Sequence, residues 1–161
     1  MRKTALPWTG LAIRLTAAAI WLVAGVSKLV DLEAFRVQVH AYDLLPGGLE
    51  APFAYALPFA EIAVGVYLAV GLLVRPAALL GCVLMAAFVV AIGQAWARGL
   101  SLDCGCFGSV ATGKVGLGTF LRDAAFVIPS LVLVLRPARF ASLDRRLLRK
   151  PDPFAAQGSV P

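Results

Sequence analysis

Four apolar runs of membrane-spanning length, parted by short polar blocks, leave this chain few folds to choose from. The runs are Trp8–Val30, Pro52–Leu73, Pro76–Ala97 and Leu117–Leu135. A helix rises about 1.5 Å per residue, so roughly 20 residues cross the ~30 Å hydrocarbon layer of a bilayer. Of the 161 residues, 60% are hydrophobic and only 15% are charged, which is more apolar surface than a soluble domain of this size can hide. The expectation is an all-α, polytopic membrane protein. A bundle of four transmembrane helices occupies residues 8–137, and a basic tail follows at 138–161, disordered beyond Lys150. No tandem repeat or separate soluble domain is visible.

The polar blocks set the orientation. Arg2 and Lys3 precede the first run as in a signal peptide, but Arg14 interrupts it and no small-residue cleavage site follows, so the first run is expected to stay as an anchor. Asp31–Glu50 holds Phe35, Val39 and Tyr42 at helical spacing, predicting a short amphipathic helix over the bundle mouth, ended by Leu45-Pro46-Gly47-Gly48. His40, the sole histidine, is expected at its solvated face. Val74-Arg75-Pro76 is short enough only for a tight hairpin, with Pro76 in the first turn of the third span, and Pro129 should kink the fourth. Four spans put both termini on one face. That face holds nine basic residues (Arg2, Lys3, Arg75, Arg136, Arg139, Arg145, Arg146, Arg149 and Lys150) against four opposite, Lys28, Arg36, Arg98 and Lys114. The positive-inside rule then makes the termini cytoplasmic, N-in and C-in. The net charge of +6 sits mostly in the tail, where it suits anionic lipid; no aromatics interleave with it, so no nucleic-acid partner is expected.

The chemistry is concentrated in Leu102-Asp103-Cys104-Gly105-Cys106-Phe107-Gly108, inside the polar loop Arg98–Gly116. Thiolates are nucleophiles and soft metal ligands, and Gly105, lacking a Cβ, lets the backbone bring the two sulfurs together. So small a ring departs from relaxed disulfide geometry and favours exchange over stapling. The same residues admit a structural turn, or a soft-metal site with His40 as third ligand. The orientation puts this loop outside, where disulfides persist. The third cysteine, Cys82, lies in an apolar run and is expected to pack there.

Arg14, Glu61, Arg122 and Asp123 fall inside the apolar runs, each costing a few kcal/mol at mid-bilayer unless paired or near an edge. Glu61 lies about 13 Å below the outer end of its helix, within reach of Arg14, Lys28 or Arg122. Either a register-fixing ion pair or a proton or ligand site follows. Arg98, Arg122 and Asp123 flank the cysteine loop, and a guanidinium there would raise the thiolate fraction.

Several residues together resemble one family. In order they are Arg14, Ala24-Gly25-Val26-Ser27-Lys28-Leu29 with Phe35, Tyr42-Asp43-Leu44-Leu45-Pro46, Pro58 with Glu61 and Gly65, Arg98-Gly99, Asp103-Cys104-Gly105-Cys106-Phe107-Gly108 and Arg122-Asp123. Over residues 8–137 the chain resembles the methylamine-utilisation protein E (MauE) family, within the DoxX-like four-helix membrane proteins. The resemblance implies thiol–disulfide exchange through Cys104 and Cys106 with a thioredoxin-fold partner, in maturation of a disulfide-rich periplasmic protein. From their positions, Arg98 and Arg122 are expected as the thiolate stabilisers, and Lys28 and Glu61 as the polar core under the loop. The DoxX-like group adds a membrane quinone as electron acceptor, by analogy. The competing readings are a non-enzymatic assembly or export factor, a soft-metal site and a small-molecule transporter.

Overall fold

A computed structural model of the chain describes residues 5–100, 102 and 114–135. Among them it holds α1 (Ala5–Val30), α2 (Leu32–Tyr42), α3 (Glu50–Val70), α4 (Val74–Ala97) and α5 (Leu117–Leu135), and no strand. Residues Trp8–Val30 of α1 and the whole of α3, α4 and α5 are long and apolar enough to cross a membrane.

The burial pattern is the reverse of a soluble protein's. Arg14, Lys28, Glu61 and Asp123 are buried, whereas Val26, Phe59, Val83, Val90, Leu121 and Ile128 are exposed on helix flanks. Charges inside and large apolar side chains outside are stable only where the surroundings are lipid. Lipid tails are as apolar as these side chains, so close packing and polar pairs hold the helices together.

Packing is strongest between α1 and α3 and between α4 and α5; α1 with α5, α2 with α3 and α3 with α4 meet less extensively, and to the same degree. Small residues bring α1 and α3 together. A Cβ on Gly25 would lie 2.7 Å from Ile62 Cγ1, and one on Gly65 would lie 2.7 Å from Leu22 Cγ. These contacts fix an antiparallel register. Trp21 occupies the centre, its indole 3.0 Å from where a Gly81 Cβ would stand on α4, among Ala17, Val64, Leu68 and Leu133.

The α3–α4 turn lies earlier than the sequence predicts. α3 ends at Val70 because Gly71 takes the left-handed conformation (φ 74°) and its N–H donates to the Tyr67 carbonyl at 2.9 Å. Leu73 is also left-handed (φ 50°), and α4 is under way at Val74 with Pro76 in its first turn. Pro129 lies within α5, which continues through it.

α2 forms as its spacing predicts. Asp31 caps it, Oδ1 accepting the Ala34 N–H at 3.0 Å. Phe35, with Leu32 and Val39, packs against Ala54 and Leu57 of α3, while Glu33, Arg36 and His40 stay solvent-facing. The helix ends sooner than predicted, at Tyr42, because Asp43 turns left-handed (φ 48°) before the Leu45–Gly48 segment is reached. On this helix, outside the spans, the hydrogen bond from Arg36 holds the Glu33 carboxyl below the usual carboxylate range.

Candidate functional site

The polar centre of the bundle is an ion pair between neighbouring helices. Lys28 Nζ of α1 donates to both carboxylate oxygens of Glu61 on α3, at 2.9 and 3.0 Å, and both side chains are wholly buried. The ammonium also reaches the Ala24 carbonyl at 3.3 Å, and Ser27 Oγ donates to the same oxygen at 2.9 Å. Two rings face the ammonium: Phe35 of α2 at 5.5 Å and Phe88 of α4 at 5.3 Å, distances at which the ring faces attract a cation. Lys28 stands two residues from the end of α1. Its long stem points back along the helix, as the Cα–Cβ direction of a helix dictates.

Of the three partners that the sequence allows Glu61, the structure selects Lys28. Gly25 faces Ile62 and Gly65 faces Leu22, so residue numbers facing each other across α1 and α3 sum to 87. Arg14 is therefore level with Leu73 and the α3–α4 turn, about 18 Å along the bundle from Glu61. It is buried, but at the opposite end.

Asp123, on α5, is wholly buried and accepts from Arg122 Nε at 2.9 Å; Arg122 itself is 31% exposed. Gly93 facing Phe120 sets the α4–α5 register, and Trp21 facing Gly81 sets that of α1 and α4. Together they place Asp123 within about one helical turn of Lys28 in depth. Lys28, Glu61 and Asp123 thus form a charged layer contributed by three helices, toward the end of the bundle that carries α2.

Above this layer, Arg98 joins α4 to α2. Its guanidinium donates to the Tyr42 carbonyl at 2.9 Å and lies 3.7 Å from the Asp43 carboxylate. α4 closes with Gly99 left-handed (φ 69°) and the Leu100 N–H on the Ala95 carbonyl at 3.0 Å. The Val115 N–H then donates to the Leu102 carbonyl at 2.8 Å. That bond makes a neck, from which residues 103–113 depart and return. Cys104 and Cys106, the sequence's first candidates, belong to that segment and lie outside the described residues, as does the basic tail. Cys82 is a half-buried free thiol on α4, about 22 Å along the helix from Ala97.

The sequence assigned no role to Phe35 and Phe88 beside Lys28, to Ser27, or to the Tyr42–Asp43 contact with Arg98. Tyr42 was read as part of the face that α2 shows with Phe35 and Val39, and Tyr42-Asp43 as part of the family resemblance. His40 Nδ1 lies 2.6 Å from Glu50 Oε2, with His40 75% exposed. Among the described residues, no three of His, Cys, Asp and Glu are grouped to hold a metal ion.

Four apolar helices around a charged layer define a multi-pass helical membrane protein. The family model described as Methylamine utilisation protein MauE matches residues 6–136. The chain belongs to that family. It is 31% identical over 140 residues to the "Methylamine utilization protein MauE" of Methylophilus methylotrophus, covering 86% of this chain and 74% of that one. To the proteins of the same name from Paracoccus denitrificans and Paracoccus versutus it is 36% and 34% identical, over 77% and 85% of this chain and 66% and 77% of theirs. The chain therefore spans about two-thirds to three-quarters of these relatives. No solved structure matches it.

Proposed function

We propose that this protein exchanges electrons between Cys104 and Cys106 and a thioredoxin-fold partner, at the outer face of the cell membrane, in maturing disulfide-bonded extracytoplasmic proteins. The observation that supports this most is the neck. Leu102 and Val115, the described residues on either side of the stretch that carries the two thiols, are joined by a hydrogen bond, and Arg98 close by in sequence ties α4 to α2. One loop thiolate attacks a sulfur of the partner's disulfide, giving a mixed disulfide and releasing the partner's other thiolate. The second loop thiolate then displaces the first partner sulfur. The loop pair is oxidised by two electrons, the partner dithiol carries them away, and two protons pass to the released thiolates or water. The reverse sequence reduces the loop. Arg98 and Arg122 flank the loop in sequence, and a guanidinium brought beside it would favour the thiolate. The relatives are named for methylamine utilisation, and the substrate proposed here is a disulfide-rich periplasmic protein of such a pathway.

Thiol counting and trapping test the reading. Oxidised protein should give one reactive thiol after denaturation, Cys82, and two more after reduction. Cys104→Ser or Cys106→Ser should abolish activity and trap a mixed disulfide with a thioredoxin-fold protein, while Cys82→Ala should leave activity intact. If both loop thiols stay reduced in an oxidising envelope and the double Cys→Ser chain still complements, the loop is structural and the protein is an assembly factor.

Orientation is part of the proposal and rests on the nine-to-four basic asymmetry. In a chain lacking native thiols, a cysteine at Gly48 should react with an impermeant maleimide in intact cells, and one at Ser159 should not. Labelling of the tail and not of position 48 would reverse the bundle.

A further inference from the structure

At the end of the bundle that carries α2, α1 stops short of its neighbours. With facing residues of α1 and α3 summing to 87, Glu50 at the start of α3 stands level with a point seven residues beyond Val30, where α1 ends. Trp21 faces Gly81 across α1 and α4, which run in the same direction, so Ala97 at the end of α4 falls at that level too. Gly93 facing Phe120 puts Leu117, the start of α5, within one residue of it. Three helices therefore end in one plane, and α1 ends about 10 Å below it. α2 climbs this step. It begins one residue after α1, and its far end is held at the rim, where His40 meets Glu50 and the Tyr42 carbonyl accepts from Arg98. We propose that α2 is set into the bilayer interface, with its outer face resting on the acyl chains of phospholipid.

The distribution of side chains around α2 supports a lipid occupant. At 3.6 residues per turn, Glu33, Arg36 and His40 form one polar stripe. On one side of it lies the inner face, Leu32, Phe35 and Val39, packed toward α3. On its other side lies a second apolar face, Ala34, Val37 and Ala41, all exposed and Val37 by 57%. A helix bathed in water on all but its packed side has no use for a second apolar face, whereas one at the boundary of water and lipid does. Gln38 is the exception, at the seam between the two apolar faces, where it lines the cavity between α2, α3 and α4. Val30 before α2 is 76% exposed and Leu44 after it 40%, so the outer face runs into apolar surface at both ends. Depth points the same way. The 24 residues of α4 are about 36 Å long against a ~30 Å hydrocarbon layer. The rim thus stands only a few ångströms above that layer, and the foot of α2 lies below its edge. Headgroup charge adds little, since Arg36 is paired with Glu33 and Arg98 with Asp43.

Depth is read on the full chain in phosphatidylcholine nanodiscs, with the native cysteines replaced and a nitroxide on one introduced cysteine at a time. Labels at Val37→Cys and Ala41→Cys should collide with oxygen in preference to a water-soluble nickel chelate, as should one at Leu121→Cys on the exposed flank of α5. Labels at Glu33→Cys and Gly48→Cys should show an oxygen-to-nickel ratio several-fold lower. Adding phosphatidylglycerol should leave the ratios at 37 and 41 unchanged. Should the cysteine-free chain fail to fold, Val37→Trp and Glu33→Trp in the parent chain serve instead, and brominated phosphatidylcholine should quench the first more than the second. Nickel-favoured collision at 37 and 41, or equal quenching of the two tryptophans, would put the outer face in water and overturn the proposal. Protection of both sites from both reagents would mean that a second copy or another protein covers the face, and would overturn it equally. So would immersion that requires the anionic lipid. The labelled chain lacks Cys104 and Cys106, so the outcome is independent of the exchange chemistry above.

Discussion

Glu61→Gln should cost the folded bundle about 3–5 kcal/mol, the range for removing one partner of a buried ion pair. The amide keeps the shape and one acceptor, but it leaves the Lys28 ammonium, wholly buried, without the carboxylate that receives it at 2.9 Å. Lys28→Met should cost a similar amount, because a carboxylate is then stranded at the same depth. Removing both charges, in Lys28→Met/Glu61→Leu, should recover most of either loss, since the desolvation of both ions disappears with their attraction. The charge-swapped chain, Lys28→Glu with Glu61→Lys, keeps the pair but exchanges a long stem for a short one. Reversible unfolding in detergent or bicelles gives the comparison, with Glu33→Gln on exposed α2 as the control, expected within about 0.5 kcal/mol of the parent. Equal, small effects of Glu61→Gln and Glu33→Gln would mean that the pair does not hold α1 to α3.

Gly25→Val should destabilise by about 1–3 kcal/mol or more through the same helix contact, by crowding instead of by charge. The first carbon of any side chain at position 25 would stand 2.7 Å from Ile62 Cγ1 and 2.8 Å from the Pro58 carbonyl oxygen. Ile62 can turn aside, but the Pro58 oxygen is helix backbone and cannot. The helices must therefore separate, and Lys28, one turn further along α1, moves away from Glu61. Gly25→Val and Glu61→Gln should consequently be less than additive. Gly93→Ala is the matched control on α4, where a Cβ would meet Phe120 at an ordinary 3.5 Å. Unfolding free energies of the four chains decide it, and full additivity would show that the glycine contact and the ion pair act independently.

The spans were legible because apolar length alone defines a membrane helix, and α4 ends where its run ends, at Ala97. The α3–α4 turn was not, since Gly71 sits inside an apolar run and Pro76 drew the expected turn toward itself. The partners of each helix were also hidden. Where nearly every side chain is apolar, an inward face and a lipid-facing one have the same composition, and only small residues such as Gly25 and Gly65 mark the close approach. Glu61 was readable as a residue needing a cation. Choosing Lys28 over Arg14 required the register of α1 against α3. The cysteine pair was plain in the sequence as chemistry, whereas the Arg98 clasp and the cavity under α2 come from residues brought together only by folding.

Ribosomes deliver Lys28 to the bilayer before Glu61 has been made. A lysine two residues from the end of α1 can meanwhile hold its ammonium among the lipid headgroups, because its four-carbon stem spans the distance. Glu61 has no such refuge, since it lies eleven residues into α3. Its carboxylate becomes tolerable when α3 slides in against α1 and the waiting ammonium swings down to meet it. The placement of the longer side chain on the earlier helix thus gives membrane insertion a direction. The charge-swapped chain should accordingly insert less completely than its recovered pairing would imply.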